Sequence, residues 1–273
     1  MANRATAKRS GTVSRPSRRG RFGGSSPGMR LHAIRRVVRK RLHVAGLYAR
    51  GLRRKLLSDR RSISRYLDTH TVRRLQIGSG PNPFPGWLNT DLAPDTYPDH
   101  RANIVYLDAT RRFPFEDGTF DFVFSEHQIE HISETAAVNM VQECFRVLRP
   151  GGRIRIATPD LAAIVGLHTE SISPPARHYL QFMAARFIPD ATGSLACEVI
   201  NHMFYAHGHR FIYDFETLSA RLSQAGFVDI VRYVPGESDD PTLRQLEAHG
   251  RAIGDEGVNR YETMAVEGTR PSP

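Results

Sequence analysis

The sequence predicts an α/β protein built on a doubly wound, mostly parallel, seven-stranded sheet, preceded by a basic helical extension. Three observations carry that expectation. Beyond Thr71, short apolar runs alternate with stretches of helical periodicity, the pattern of successive βαβ units. Glycines and carboxylates cluster where those runs end, and open parallel sheets bind ligands at such ends. Residues 1–65 hold 20 Lys or Arg against one acid, Asp59, a net +19, whereas the remainder has 18 basic and 27 acidic residues, a net −9. The 273 residues therefore divide into a tail (1–28), an extension (29–70) and a domain (71–270).

Residues 1–28, rich in Arg, Ser, Gly and Pro, read as a disordered basic tail. Leu31, Ile34, Val38, Leu42, Ala45, Leu52 and Leu56 then recur at helical spacing with arginines between them, which predicts a basic amphipathic helix. Over 29–58 such a helix can lie on an anionic membrane surface, follow a phosphate backbone, or pack its apolar stripe on the domain. An organellar transit peptide has a similar composition.

In the domain, the predicted strands are Arg74–Ile77, Trp87–Thr90, Ile104–Leu107, Phe120–Phe124, Arg153–Ala157, Val228–Val234 and Met264–Gly268, each a short run rich in β-branched or aromatic residues. Ser133 is a good N-cap for a helix that carries Ala137, Val141, Phe145 and Leu148 on one face and stops at Pro150-Gly151-Gly152. Asp214 starts another, which buries Leu218, Leu222 and Ala225 and ends at Gly226. Residues 170–210 exceed a simple αβ connection. Their Pro174-Pro175 and aromatic patch (Tyr179, Phe182, Met183, Phe187) predict a substrate-binding lid.

Composition removes several classes. Hydrophobic residues make up 40% and charged residues 24% of the chain, so it can bury a core. No run reaches the ~20 apolar residues that span a bilayer, and no apolar secretory stretch opens the chain. A cytoplasmic protein is expected, peripheral at the inner membrane face if the basic helix binds lipid. Cys144 and Cys197 are too few for a disulfide framework or a four-thiolate zinc site.

The first strand runs into Gly78-Ser79-Gly80, which permits a tight turn and close approach of a ligand. The sheet is thus Rossmann-like, yet a dinucleotide fingerprint would want a third glycine where Pro83 stands. Pro81, Pro83 and Pro85 remove three N–H donors that a pyrophosphate would use. Asp91 and Asp108 end the next two strands. One carboxylate can bridge a ribose diol and the other can accept an adenine N6–H, so a nucleoside without a phosphate satisfies this inventory. Singly, each acid also suits a helix cap or loop end.

Leu75-Gln76-Ile77-Gly78-Ser79-Gly80, Gly86-Trp87-Leu88-Asn89-Thr90-Asp91, the run from Phe113 to Asp121, Glu130-His131-Ile132 and Glu143–Gly152 together resemble the class I S-adenosylmethionine-dependent methyltransferases, in particular the methyltransferase-11-like group. Residues 208–214, the helix to Gly226-Phe227 and Gly236-Glu237-Ser238 are similar to members found among surface-polysaccharide genes. The resemblance implies S-adenosylmethionine as cofactor. Gly78, Ser79 and Gly80 would face its methionyl end, Asp91 its ribose, Asp108 and the Ala109 N–H its adenine, with Ser125 and Glu126 opposite. Gln76 stands where the group usually has an acid, Asn82 stands where it usually has a third glycine, and the link to Asp91 leaves little room for a first crossover helix.

Methyl transfer to a hydroxyl needs alignment, exclusion of water and removal of one proton. His127 and Glu126 follow the fourth strand and are the candidate catalytic pair, with a structural role for His127 as the alternative. Glu130 and His131 read as groups that orient the following turn. His207, His209 and Tyr213 are candidate acceptor contacts. No metal is expected, because the histidines at 202, 207 and 209 show no recognisable ligand spacing with an acid or Cys. A glycan or small hydroxylated metabolite is the expected acceptor. The domain's negative charge disfavours nucleic acid unless the basic arm recruits RNA, and a non-catalytic binding module with a degenerate site is the remaining alternative.

Overall fold

The computed structural model describes residues 59–273 apart from 189 and 191–194. The tail expected over 1–28 and the basic helix expected over 29–58 lie outside the described residues. Helix α1 (59–69) is the described end of the predicted extension, and it belongs to the domain. Its Ile63, Tyr66 and Leu67 join the main core. The Tyr66 hydroxyl accepts the Arg74 N–H at 2.7 Å and faces the carbonyls of Arg74 and Gly86 at 3.0 and 3.2 Å, which fastens the helix to the start of the sheet.

The sheet comprises β1 (Arg74–Ile77), β2 (Leu88–Asp91), β3 (Ile104–Tyr106), β4 (Phe120–Glu126), β5 (Leu148–Pro159), β6 (Val228–Tyr233) and β7 (Thr263–Thr269) in the order β3-β2-β1-β4-β5-β7-β6. All neighbours are parallel except β5–β7 and β6–β7. All seven predicted strands are present. β5 starts five residues earlier than expected because Gly151 donates to the Arg270 carbonyl and Arg270 to that of Gly152, both at 2.8 Å, which carries pairing across Pro150.

Helix α2 (Glu134–Val147) starts at Ser133, whose hydroxyl accepts the Ala136 N–H, and packs Ala137, Met140, Val141 and Cys144 on the sheet. Helices α3 (Leu161–Val165), α4 (Pro174–Phe187) and α5 (Leu195–Tyr205) follow β5. With α8 (Glu256–Glu262) they enclose a second apolar cluster of Ile164, Tyr179, Met183, Val199, Met203 and Val258. The segment expected to be a lid therefore has a small core of its own. Helix α6 (Phe215–Ala225) is capped by Asp214 and ends at Gly226 in the left-handed region. Helix α7 (His249–Ile253) precedes α8.

No helix connects β1 to β2. The ten residues 78–87 make this parallel connection as a loop, shorter than the dozen or more such crossovers usually take. Two buried amides hold it. Gln76 Nε2 donates to the Asn82 carbonyl at 3.2 Å, and the Phe84 N–H is shared between Gln76 Oε1 and Asn89 Oδ1 at 3.3 and 2.9 Å. Asn89 Nδ2 returns a bond to the Phe84 carbonyl at 3.0 Å. Gln76, where the resembled group has an acid, thus has the donor and the acceptor that this loop requires.

Candidate active site

The carboxyl ends of β1, β2 and β4 build one wall of the site. Gly78 and Gly80 have φ of +69° and +52°, conformations that side chains rarely adopt. A Cβ on Gly78 would come within 2.6 Å of Gln128 Cγ, so only a bare backbone fits there. Asp91 Oδ2 accepts the Gly80 N–H at 3.0 Å and Oδ1 accepts the Ala93 N–H at 2.8 Å, an arrangement that leaves each oxygen lone-pair capacity for a diol. Ser79 is buried, and its N–H donates to the Thr90 carbonyl at 2.9 Å. Ser125 lies beside Ile77 in the sheet. Its buried hydroxyl and the buried Gln128 Oε1 have no hydrogen-bond partner among the described residues. Bare glycine backbone, two unpaired buried polar atoms and an open carboxylate fit a nucleoside-sulfonium cofactor with no phosphate.

Asp108 is engaged differently from the expectation. Oδ1 accepts the N–H and hydroxyl of Thr110 at 3.0 and 2.6 Å, and Oδ2 pairs with Arg111 at 3.1 Å. Burial pushes its pKa up, but the Thr110 and Arg111 contacts outweigh it and hold the carboxyl below its ordinary value. An adenine amine would have to displace the exposed Arg111. Ala109 beside it is buried in the main core.

The candidate catalytic pair also departs from the expectation. Both Glu126 oxygens accept the Ala248 N–H, and Oε1 accepts that of His249, all at 2.9 Å, so this carboxylate anchors the start of α7 rather than reaching an acceptor. His127 has a φ of +44°, stacks on His249 at 3.9 Å and places Nε2 3.1 Å from the Thr263 hydroxyl. Its Nδ1 is 3.2 Å from Glu130 Oε1. Burial opposes charge on this ring, but Glu130, Glu262 and Glu126 prevail and push its pKa up to about 9. The surrounding carboxylates thus favour the imidazolium, and Nε2 is taken up by Thr263, a state unsuited to a general base. Tyr213 is corrected too. It is buried in the main core, with burial pushing its pKa up to about 12, and does not line the cavity described next.

That cavity, about 220 Å³, opens past the ends of β4 and β5 beneath α4 and α5. One side is apolar, with Phe182, Met183, Phe187, Met203, Ile253 and Val258. The other carries His127, His131, His207, His209 and His249 with Glu262. His207 and His209 both line this cavity. Burial and the neighbouring histidines lower both of their pKa values and favour neutral rings. Sequence reasoning did not assign His249 and Glu262 to the site, because α7 and α8 follow a long irregular stretch with no motif.

Sheet order, bare glycines after β1 and a carboxylate after β2 define a Rossmann-like domain whose ligand site lies at the carboxyl ends of its strands. Residues 87–156 match the Methyltransf_11 family, described as a methyltransferase domain. The chain is 40% identical over 82 residues to tocopherol O-methyltransferase of Arabidopsis thaliana, covering 30% of this chain and 23% of that protein. It is 25% identical over 133 residues to the ubiquinone/menaquinone biosynthesis C-methyltransferase UbiE of Salmonella paratyphi B, covering 48% of this chain and 49% of that one. The chain thus spans a quarter to a half of the curated relatives it matches. Among solved structures, a SAM-dependent methyltransferase from Archaeoglobus fulgidus shares 18% identity at a TM-score of 0.47, covering 79% of this chain and 94% of that one.

Proposed function

We propose that the chain transfers the methyl group of S-adenosylmethionine to a hydroxyl of a small acceptor with an apolar face. The observation that carries this reading is the two-sided cavity beyond β4 and β5, apolar on the α4 side and imidazole-lined on the other. When bound, the cofactor supplies an activated methyl group on a sulfonium. Gly78, Gly80, Ser125 and Gln128 would hold its methionyl end and Asp91 its ribose. Phe182, Phe187 and Met203 would exclude water and orient the acceptor, while neutral His207 or His209 would take the hydroxyl proton that His127 cannot.

The O-methyltransferase name of the Arabidopsis relative supports oxygen as the accepting atom. The likeness of residues 208–214 and 236–238 to methyltransferases of polysaccharide gene clusters supports sugar hydroxyls as a second acceptor class. The basic residues 29–58 would bring the domain to an anionic membrane surface.

Calorimetric titration of S-adenosylhomocysteine tests the cofactor half. Wild type should bind, and Asp91→Ala should bind about 30-fold more weakly, about 2 kcal/mol, as expected for lost hydrogen bonds to a charged group. No heat with wild type would overturn the reading. Screening phenolic and sugar hydroxyls for methylated product tests the acceptor half, and turnover of neither would remove it.

A further inference from the structure

We propose that Glu130, His131 and His209 form a binding site for a divalent transition-metal ion in the wall of the acceptor cavity. Glu130 and His131 lie in the single 3-10 turn (Ile129–His131) that follows β4, whereas His209 arrives from beyond α5, so no sequence spacing joins them. Folding brings one ligand atom of each within 4.8 Å of the others. Glu130 is fully buried; Oε2 accepts the Thr158 hydroxyl at 3.0 Å, while Oε1 is not hydrogen-bonded, its 3.2 Å contact with His127 Nδ1 being poorly aligned. His131 Nε2 lies 4.0 Å from that oxygen, and neither of its ring nitrogens is hydrogen-bonded among the described residues. His209 Nδ1 donates to the Met203 carbonyl at 2.6 Å. That bond leaves the lone pair on Nε2, the outer-shell arrangement by which a carbonyl orients a metal-binding imidazole.

Two imidazoles and one carboxylate are the donor set of a three-ligand catalytic zinc-type site, which keeps a position open. Here both histidines line the cavity, so the open position faces the acceptor. A second trio, His127, His249 and Glu262, is also close enough to hold an ion. Its rings are stacked face to face at 3.9 Å, and Nε2 of each is already bonded, to Thr263 and to Glu262. In the Glu130 trio, by contrast, the atoms that would ligate, Glu130 Oε1 and Nε2 of each histidine, carry no hydrogen bond among the described residues.

The role of the ion rests on the methyltransferase reading; its binding does not. In that role the ion held by Glu130, His131 and His209 would supply Lewis-acid polarisation of the acceptor hydroxyl. The hydroxyl proton would pass to His207, which lines the cavity outside the trio, the oxygen lone pair would form the new C–O bond, and the electrons of the breaking S–C bond would stay on sulfur, discharging the sulfonium.

Metal-free full-length protein on a Cys197→Ser background, titrated with Co2+ and followed by visible absorption and calorimetry, tests the site. One equivalent should bind, and His131→Ala and His209→Ala should each weaken binding by at least roughly 100-fold, since losing a ligand costs no less than losing a group that only orients one. His249→Ala should leave it unchanged. His131 is exposed, so its variant is not at risk of misfolding as a buried Glu130→Gln would be. No Co2+ binding, binding that survives both histidine variants, or binding lost only with His249→Ala would each overturn the proposal. Titrating S-adenosylhomocysteine into the same samples separates the two readings: cofactor binding without Co2+ binding sinks the metal site alone, and the reverse sinks the methyl-transfer role alone.

Discussion

At Asp91 one carboxylate closes two turns, after β1 through the Gly80 N–H and after β2 through the Ala93 N–H. The Asp91→Ala variant therefore needs a thermal melt beside the affinity measurement, since the affinity loss reports on the ligand contact only where the fold survives. Arg155 shows the stronger dependence on pairing. Fully buried, it donates to Glu247 and Glu267 at 2.6 Å each, and Glu247 in turn accepts the Gly236 N–H at 2.8 Å. Arg155→Met would leave buried Glu247 without a cation and Glu267 with Arg153 alone, and urea unfolding should show a loss of about 3–5 kcal/mol. Because Glu247 immediately precedes Ala248 and His249, whose N–H groups bind Glu126, the same variant should also weaken whatever ligand the cavity takes.

Among the elements, α6 was legible down to its caps. Asp214 and Gly226 are chemically distinctive, and their local roles need no distant partner. Gly226 has a φ of +106°, and an added Cβ would come 2.9 Å from Phe145 Cζ, so Gly226→Ala should lower stability by about 1–3 kcal/mol in thermal melts. Helices α7 and α8 were not legible, since five and seven residues give too few turns for a periodic signal. The same reason hid His249 and Glu262. The missing crossover helix was legible from the short Pro-rich link, but its fastening by Gln76 and Asn89 depends on partners that only the packed sheet aligns.

Across the whole molecule, charge and pH act in separate places. Glu143 accepts from Arg146 at 2.6 Å and from the Phe113 N–H at 2.6 Å, and the Arg146 guanidinium holds its carboxyl below the ordinary value. A depressed folded-state pKa adds stability above the unfolded value of about 4.3, and that stability is lost as pH falls through the folded value. Denaturant midpoints should accordingly drop on acidification, and Glu143→Gln should flatten that slope. The arginine-rich arm is expected to act independently of the cofactor site: removing residues 1–58 should abolish sedimentation with anionic vesicles and leave S-adenosylhomocysteine affinity unchanged.

The sequence by itself determined the seven strands, the two capped helices, the glycine turn and the carboxylate after β2, because periodicity, capping and turn chemistry are local properties of neighbouring residues. Only the tertiary structure decided what each candidate side chain could do. Glu126 became an anchor for backbone amides, His127 a charged ring among carboxylates and Tyr213 a core residue, while Glu130, His131 and His209 met at the cavity. Protonation and ligation depend on distances between atoms far apart in the chain, and folding alone sets those distances.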